Sequence, residues 1–215
     1  TYDIANPGNI LFINSPYPVL TEELTPIKAI TFGPDCEQPY STSSLFNVSG
    51  MSYGAISKPA VRALSKGAAI AGCWINTGEG GISDWHLEGG CDIVFQIGTA
   101  NYGIRNAQGE FCEDKLSTVA AHESVKMIEL KLSQGAKPGK GGILPGAKVT
   151  KEIAKIRQIP IGETSNSPNR HIDIGNDDEL LDKINRIRSI TGKPVGFKAV
   201  LGDGFWLDQL LSTIN

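Results

Sequence analysis

Short apolar runs that end in glycine-rich turns recur along this chain, and helical segments separate them. Strands that alternate with helices indicate a parallel sheet, and apolar runs ending in glycine place a ligand site at the strand carboxyl ends. We predict strands within FNVSGMSYG (46–54) and CWINTGEGG (73–81), and at Ile93–Gly98, Met127–Ser133 and Pro194–Val200. We predict helices at Lys58–Gly72, Thr118–Val125, Lys148–Ile156, Asp177–Ile190 and Phe205–Ile214.

Length and composition bound the class of protein. The chain has 215 residues and a net charge of −3, so it fits one domain or part of a larger one. The charge shows no basic excess, so nucleic acid is not the expected partner. The sequence contains no apolar run of about 18 residues, so we predict no membrane span in it. Five strands are too few for a closed barrel. The sequence contains neither a dinucleotide fingerprint opening a helix nor a P-loop.

Residues 1–45 differ from the rest because Pro, Thr and Ser replace the regular apolar runs. We predict a wrapping segment with short extended pieces at Ile10–Ile13 and Ile30–Phe32. The first residues lack the features of a signal peptide and a starting Met, so the natural N-terminus is expected to be missing.

Four cysteines, at 36, 73, 91 and 112, have spacings that match no zinc or iron–sulfur pattern. We expect buried free thiols in a reducing compartment, and on this basis a cytoplasmic location.

Three polar residues stand at or near the ends of predicted strands. Glu79, between glycines, is either a solvated turn residue or a carboxylate aimed into a pocket. Gln96 needs partners if it is buried, and neighbouring backbone or the edge of a polar ring could supply them. Lys198 either reaches solvent or faces inward, where its charge would stabilise the anionic reduced ring of a flavin.

The segment QGAKPGKGGILPGAKV (134–149) is a long Gly/Lys loop that follows the fourth strand. It supplies Lys137, Lys140, Lys148 and free backbone N–H groups, and Arg157 follows one helix later. This loop is either a flexible basic surface or a site for carboxylates or phosphates. Among the three histidines, His171 is a candidate general acid or a structural residue, and we assign no role to His86 or His122.

Several motifs follow one another in an order that resembles one known family. They are MSYGAIS, GAAIAG, NTGEGG, IELKLSQGAKPGKGGILPGAKV, SPNRHIDI and PVGFKAV. This order resembles the FMN-binding synthase domain of glutamate synthase, and in particular the stand-alone glutamate synthase-related FMN-binding proteins. The resemblance covers roughly residues 46–215, and the first 45 residues fit more loosely.

The resemblance implies a (β/α)8 TIM barrel of the FMN-dependent oxidoreductase type, of which this chain holds about the first five strands. It implies reduction of 2-iminoglutarate, formed from 2-oxoglutarate and ammonia, to L-glutamate. The positions that match flavin-contacting residues are Met51, Ser52, Gly54, Ala55, Thr77, Gln96 and Lys198. Those that match residues holding the dicarboxylate are Gln134, Lys137 and Arg157, with Glu79 beside them; we take Lys137, Glu79 and Gln134 as the catalytic candidates.

The sequence also departs from the large enzymes of the family. It has no N-terminal cysteine amidotransferase domain and no cysteine cluster for a 3Fe–4S centre, and IGTANYGI (97–104) replaces a glycine-and-arginine turn. We therefore expect a separate electron donor, an ammonia-supplying protein as a further partner, and a barrel (46–215) that is incomplete at its C-terminus.

Two alternatives stay open. In the first, the flavin scaffold would act on a different amino or imino acid; in the second, the chain would be a non-catalytic truncated piece. An open sheet leaves apolar edges, so we expect a homo-oligomer or association with a missing segment.

Overall fold

The computed structural model describes residues 15–137, 139–200, 202 and 204–214. Its helices are α1 (Lys58–Ala71), α2 (Asp84–Leu87), α3 (Glu113–Ala120), α4 (Lys151–Arg157), α5 (Asp177–Thr191) and α6 (Gly204–Ile214). Its strands are β1 (Ile30–Phe32), β2 (Tyr40–Thr42), β3 (Ile75–Asn76), β4 (Ile93–Ile97), β5 (Val125–Lys131), β6 (Ile143–Leu144), β7 (Ser165–Asn166) and β8 (Val195–Lys198). Short 3-10 turns lie at Thr21–Glu23 and Gly146–Lys148.

A parallel sheet is the centre of the described part of the chain. Its four strands lie in the order β3-β4-β5-β8, and Val48 adds a parallel bridge to Ile75 at the β3 edge. In the sequence, α1 lies between Val48 and β3, α3 lies between β4 and β5, and α5 lies between β5 and β8. The prediction of a parallel α/β sheet is therefore confirmed, whereas closure into a TIM barrel stays a prediction.

The two faces of the sheet differ in chemistry because successive side chains of a strand point to opposite sides. On β4, Ile93, Phe95 and Ile97 join the main core with residues of α3 and α5. Val94 belongs instead to a smaller cluster on the other face, and Gln96 lies two residues further along it. We call this second side the inner face, and it carries the polar residues considered below.

The hairpin β1–β2 covers the lower part of the inner face. Its strands are antiparallel, and the Tyr40 hydroxyl donates a hydrogen bond to Asp92 at 2.9 Å. Tyr40 packs with Val94, Met127 and Trp74. A cavity of about 400 Å³ remains between the hairpin and the sheet. The predicted strand Ile30–Phe32 is confirmed, Ile10–Ile13 lies outside the described residues, and the division at residue 45 stays a prediction.

The best predicted helices have clear caps. α1 begins after Ser57, whose side chain accepts from the Ala60 N–H, and it ends at Gly72 in the left-handed conformation. α5 begins after Asn176 and ends at Gly192, in the same manner. Both helices match the predicted ranges to within two residues.

Other boundaries were predicted less well. The helix predicted at Thr118–Val125 lies earlier, as α3, because Val125 already belongs to β5. The helix predicted from Lys148 begins only at Lys151, because the Thr150 side chain caps it by accepting from the Ile153 N–H. The strand predicted at Met127–Ser133 begins and ends two residues earlier. In place of the strand predicted within 46–54, the described structure has isolated bridges at Val48 and Tyr53.

All four cysteines are free, and Cys91 is buried while the other three are half-buried. None of the helices in the described ranges is long and apolar enough to cross a membrane.

Candidate functional site

The carboxyl ends of the parallel strands β3 and β5, on either side of β4, bring distant residues together at one edge of the sheet. Glu79 follows β3, Lys131 ends β5 and Gln134 opens the Gly/Lys loop. The Glu79 carboxylate accepts from the Lys131 ammonium at 3.0 Å and from the Gln134 amide at 2.5 Å. Lys131 also donates to the Gln134 amide oxygen at 2.8 Å. The three groups form a closed network with little solvent exposure: the Lys131 and Glu79 side chains are 15% and 17% exposed.

Glycines at 98 and 142 allow the backbone at these positions to pack closely against Glu79. A Cβ at Gly142, in the Gly/Lys loop, would collide with the Glu79 carboxylate oxygen, and one at Gly98 would lie 2.6 Å from the Glu79 Cβ. The loop therefore folds back over Glu79 instead of extending into solvent. Its return strand β6 pairs antiparallel with β7, and the Ser167 N–H donates to the Gly142 carbonyl at 2.9 Å.

Arg157, at the end of α4, is a buried cation on the other side of the Glu79 turn. It is 5% exposed, and its guanidinium donates to the Ser52 hydroxyl at 3.3 Å and to the Tyr53 carbonyl at 3.4 Å. It lies over the Tyr102 ring at 5.1 Å, and its Nε has no hydrogen-bond partner in the described structure. Burial lowers the pKa of Arg157, and the charges of Tyr102 and Glu79 act in the opposite direction.

The segment Met51–Ala55 is held in place through its backbone. The Met51 N–H donates to the Asn76 carbonyl at 2.9 Å, and the Met51 carbonyl accepts from His86 Nε2 at 2.8 Å. The Ser83 N–H donates to His86 Nδ1, which fixes the neutral tautomer, and burial lowers the pKa of His86. His86, to which we assigned no role from the sequence, therefore positions this segment.

A second polar network lies on the inner face, one step below the first. The Glu129 carboxylate accepts from the Asn76 amide at 2.9 Å and from the Gln96 amide at 2.5 Å. Gln96 is buried, and its amide nitrogen bonds a carboxylate, a partner that neither predicted alternative, backbone or the edge of a polar ring, had named. In register, Lys131 of β5 lies beside Lys198 of β8, so both ammonium groups are on this face at the carboxyl edge.

The remaining candidates lie near the site without joining either network. Thr77 is fully buried, and its hydroxyl donates to the Gly78 carbonyl and accepts from the Gln96 N–H. Lys198 is exposed at the end of β8. Lys137 is also exposed, in a turn that its N–H closes with the Gln134 carbonyl. Substrate contacts by Lys137 and flavin contacts by Thr77 and Lys198 stay predictions.

His171 has a structural partner. It is buried, and its Nε2–H donates to the Lys131 carbonyl at 2.9 Å, which holds the end of β5. Burial is the largest influence on the pKa of His171 and lowers it, whereas the hydrogen bond to the Lys131 backbone acts in the opposite direction.

Sequence reasoning missed Asn76, Glu129 and Lys131. The signal was present in IELKLS, because charged residues two apart in a central strand must share one face. In the structure, this face is the inner face, which does not pack on the helices.

The fold and these residues define an α/β protein with a cluster of charged and polar side chains at the carboxyl edge of its parallel sheet. Residues 20–209 match the model of a family described as the conserved region in glutamate synthase. The chain belongs to this family. The match begins well before residue 46, so it includes much of the N-terminal segment.

Several curated proteins are similar to the chain. It is 45% identical over 178 residues to the glutamate synthase large subunit-like protein YerD of Bacillus subtilis, covering 82% of the chain and 34% of YerD. It is 38% identical over 150 residues to the archaeal-type glutamate synthase (NADPH) of Thermotoga maritima, covering 69% and 27%. A Rhizobium meliloti large subunit-like protein is 33% identical over 164 residues, covering 75% and 34%. The chain thus spans about a third of the length of these relatives.

The inner face carries polar and charged groups of the kind that contact a flavin ring. The Gln96 amide oxygen makes no hydrogen bond to any described residue, so it is available to an N–H group. Lys131 and Lys198 supply positive charge nearby, and Gly50 and Gly78 keep the adjacent backbone free of side chains. No group of three or more His, Cys, Asp or Glu residues in the described ranges is arranged to hold a metal ion.

Proposed function

We propose that this chain forms the flavin- and substrate-binding part of a glutamate synthase-type oxidoreductase. The proposed reaction is reduction of 2-iminoglutarate, formed from 2-oxoglutarate and ammonia, to L-glutamate. The observation that carries the proposal is Arg157, a buried guanidinium that forms no ion pair with a described carboxylate. A buried cation is costly unless it is paired, and an anionic ligand would pair it.

The charges around the Glu79 turn suit a dicarboxylate. Arg157 lies on one side of the turn, and Lys131 with Gln134 lies on the other. A guanidinium binds a carboxylate through two parallel hydrogen bonds, whereas an ammonium and an amide offer single donors. We propose that Arg157 holds one carboxylate and that Lys131 and Gln134 hold the other end of the substrate.

Glu79 has the role of ordering the donors. It accepts from both Lys131 and Gln134, so it fixes their side chains before substrate arrives. We propose that Glu79 and Gln134 act in catalysis with Lys137. For Lys137 the loop must bring the exposed ammonium over the site, which its position three residues from Gln134 permits.

FMN is the proposed cofactor, and when bound it supplies the hydride for the imino carbon. We propose that the backbone of Met51, Ser52, Gly54 and Ala55 lies against the ring, with Thr77, Gln96 and Lys198 contacting the ring or its ribityl chain. The support is the anchoring of this segment by His86 and the free acceptor on Gln96.

The proposed partners follow from what the described residues lack. No nicotinamide or iron–sulfur site is recognisable in them, so a separate electron donor is proposed, together with an ammonia-supplying protein. The relatives named archaeal-type glutamate synthases carry NADPH in their names. We also propose that another copy or a further segment covers the open edges of the sheet.

The test is flavin spectroscopy on the full-length protein. We expect the visible bands of bound oxidised flavin, their loss on anaerobic reduction, and their return on adding 2-oxoglutarate with ammonium. Each compound alone should give little recovery. A protein that takes up no FMN, or whose reduced flavin ignores every 2-oxo acid with ammonium, would refute the proposal. Recovery with a different 2-oxo acid or amine would redefine the substrate.

A pair of lysine variants locates the substrate. Lys131→Met should weaken 2-oxoglutarate binding about 10- to 100-fold, because a charge-assisted hydrogen bond contributes roughly 1.5–3 kcal/mol. Lys140→Met changes an exposed lysine of the loop that follows β5 and is the matched control. Equal affinities in the two variants would contradict the assignment of Lys131.

A further inference from the structure

Glu129 occupies the middle of the inner face and accepts hydrogen bonds from two amide side chains. The Asn76 and Gln96 amide nitrogens lie 2.9 and 2.5 Å from the same carboxylate oxygen. An ionised carboxylate can only accept hydrogen bonds. Both amides must therefore turn their NH₂ groups toward Glu129 and their oxygens away from it.

Each oriented oxygen then has a defined task. The Asn76 oxygen accepts from the Gly78 N–H at 2.9 Å and so fixes the turn that presents Glu79. The Gln96 oxygen has no hydrogen bond to a described residue, although the Gln96 side chain is buried. This oxygen is also not one of the fully enclosed atoms that lack a partner, so it remains accessible and can accept from a donor on a ligand.

We infer that Glu129 is a positioning residue that locks the Gln96 amide with its oxygen toward the ligand, where it accepts a hydrogen bond from flavin N3–H. This inference rests on the proposed function, because it takes FMN as the ligand. A neutral residue at 129 would allow the amide to rotate and present its NH₂ group instead. The N3–H would then face a donor, and the hydrogen bond would be lost.

The test compares two flavins in the full-length protein. FMN carries N3–H, whereas 3-methyl-FMN has a methyl group there and cannot donate. We expect wild type to bind FMN about 10-fold or more tightly than 3-methyl-FMN, since tenfold corresponds to about 1.4 kcal/mol, the size of one hydrogen bond. In Glu129→Gln this ratio of dissociation constants should fall toward one, as it should in Gln96→Leu.

Glu152→Gln is the matched control, because its carboxylate also accepts from two neutral donors, Tyr53 and Trp85, at 2.7 Å each. It should keep the wild-type ratio. Circular dichroism checks folding, and if Glu129→Gln does not fold, the shorter acid in Glu129→Asp replaces it. That variant retains an acceptor but draws back from Gln96, so it should lower the ratio partly.

The outcomes separate the inference from the function on which it rests. If Glu129→Gln folds and keeps the full preference for FMN, or if wild type shows no preference, Glu129 is a structural residue and the inference is wrong. If wild type binds neither flavin, the proposed function fails as well.

Discussion

Replacing Arg157 with methionine should weaken ligand binding while leaving the stability of the ligand-free protein little changed or higher. The guanidinium is 5% exposed, its hydrogen bonds to Ser52 and Tyr53 are long, at 3.3 and 3.4 Å, and its Nε is unpaired. Without a ligand, the protein therefore keeps a desolvated charge that is only weakly compensated. Methionine fills similar space without a charge or unpaired donors.

The magnitudes follow from these contacts. Arg157→Met loses two long hydrogen bonds and the contact over the Tyr102 ring, the latter worth about 0.5–2 kcal/mol. It also removes an unpaired buried donor that costs about 1–3 kcal/mol, and a buried charge whose desolvation costs several more. We expect the ligand-free variant to lie within about 1 kcal/mol of wild type or to be more stable.

The ligand reverses this comparison. At 100 times its dissociation constant, 2-oxoglutarate should stabilise wild type by about 2.7 kcal/mol. Loss of a charged hydrogen-bond pair weakens binding about 100-fold, so the same concentration should stabilise the variant by only about 0.4 kcal/mol.

Urea unfolding of the full-length protein with and without 2-oxoglutarate measures both quantities. Arg186→Met is the control, since Arg186 forms an exposed ion pair with Glu113 at 2.6 Å and lies away from the site. It should keep the full ligand effect. The reasoning is refuted if Arg157→Met loses more than about 3 kcal/mol without ligand, the loss expected when a structural buried pair is broken. An unchanged ligand effect in Arg157→Met would refute it equally.

Three further predictions concern glycine and histidine positions. Gly142→Ala should weaken 2-oxoglutarate binding at least about 10-fold, because the new Cβ would displace the Glu79 carboxylate and the site would lose about one hydrogen bond. Calorimetry measures this affinity, and an unchanged value would contradict the packing. Gly67→Ala, in α1 with nothing within 4 Å of its Cβ, should stabilise the protein by up to about 1 kcal/mol in urea unfolding, and a loss would contradict this. His86 and His171 are buried, and burial lowers the pKa of both. The free energy of unfolding should therefore be highest above their ordinary pKa of about 6.5, where both are neutral in the folded and unfolded protein. Below that pH it should fall by up to about 1.4 kcal/mol per pH unit for each histidine, because the unfolded protein binds the proton more readily. Urea unfolding between pH 7.5 and 5.5 measures this slope; a flat profile, or the same slope in His86→Gln, would contradict it.

Local signals explain which elements could be predicted. α1 has a serine cap, an early proline and a terminal glycine, so residues at each end of the helix determine where it begins and ends. α3 has no side-chain cap, because Cys112 precedes it, and its end depends on where β5 begins. That boundary is set by pairing with β4, which is a tertiary contact.

The site shows the same division. The turn around Glu79 and the loop at Gln134 were recognisable from their glycines, and the structure joins them by a 2.5 Å hydrogen bond. Lys131 and Glu129 could not be placed without knowing which face of β5 is inward. Their charge alone is equally typical of an exposed strand.

The order of the strands has a consequence for how the chain folds as it is synthesised. β3, β4 and β5 are neighbours in both sequence and sheet, so each can pair soon after it emerges. β8 must instead wait until the loop, β6, α4, β7 and α5 have been made. The contact between Arg157 and Ser52 closes a separation of 105 residues. The proposed anion site therefore has to wait until α4 has followed β3, β4 and β5 out of the ribosome, and we expect nascent chains to gain ligand affinity late in synthesis.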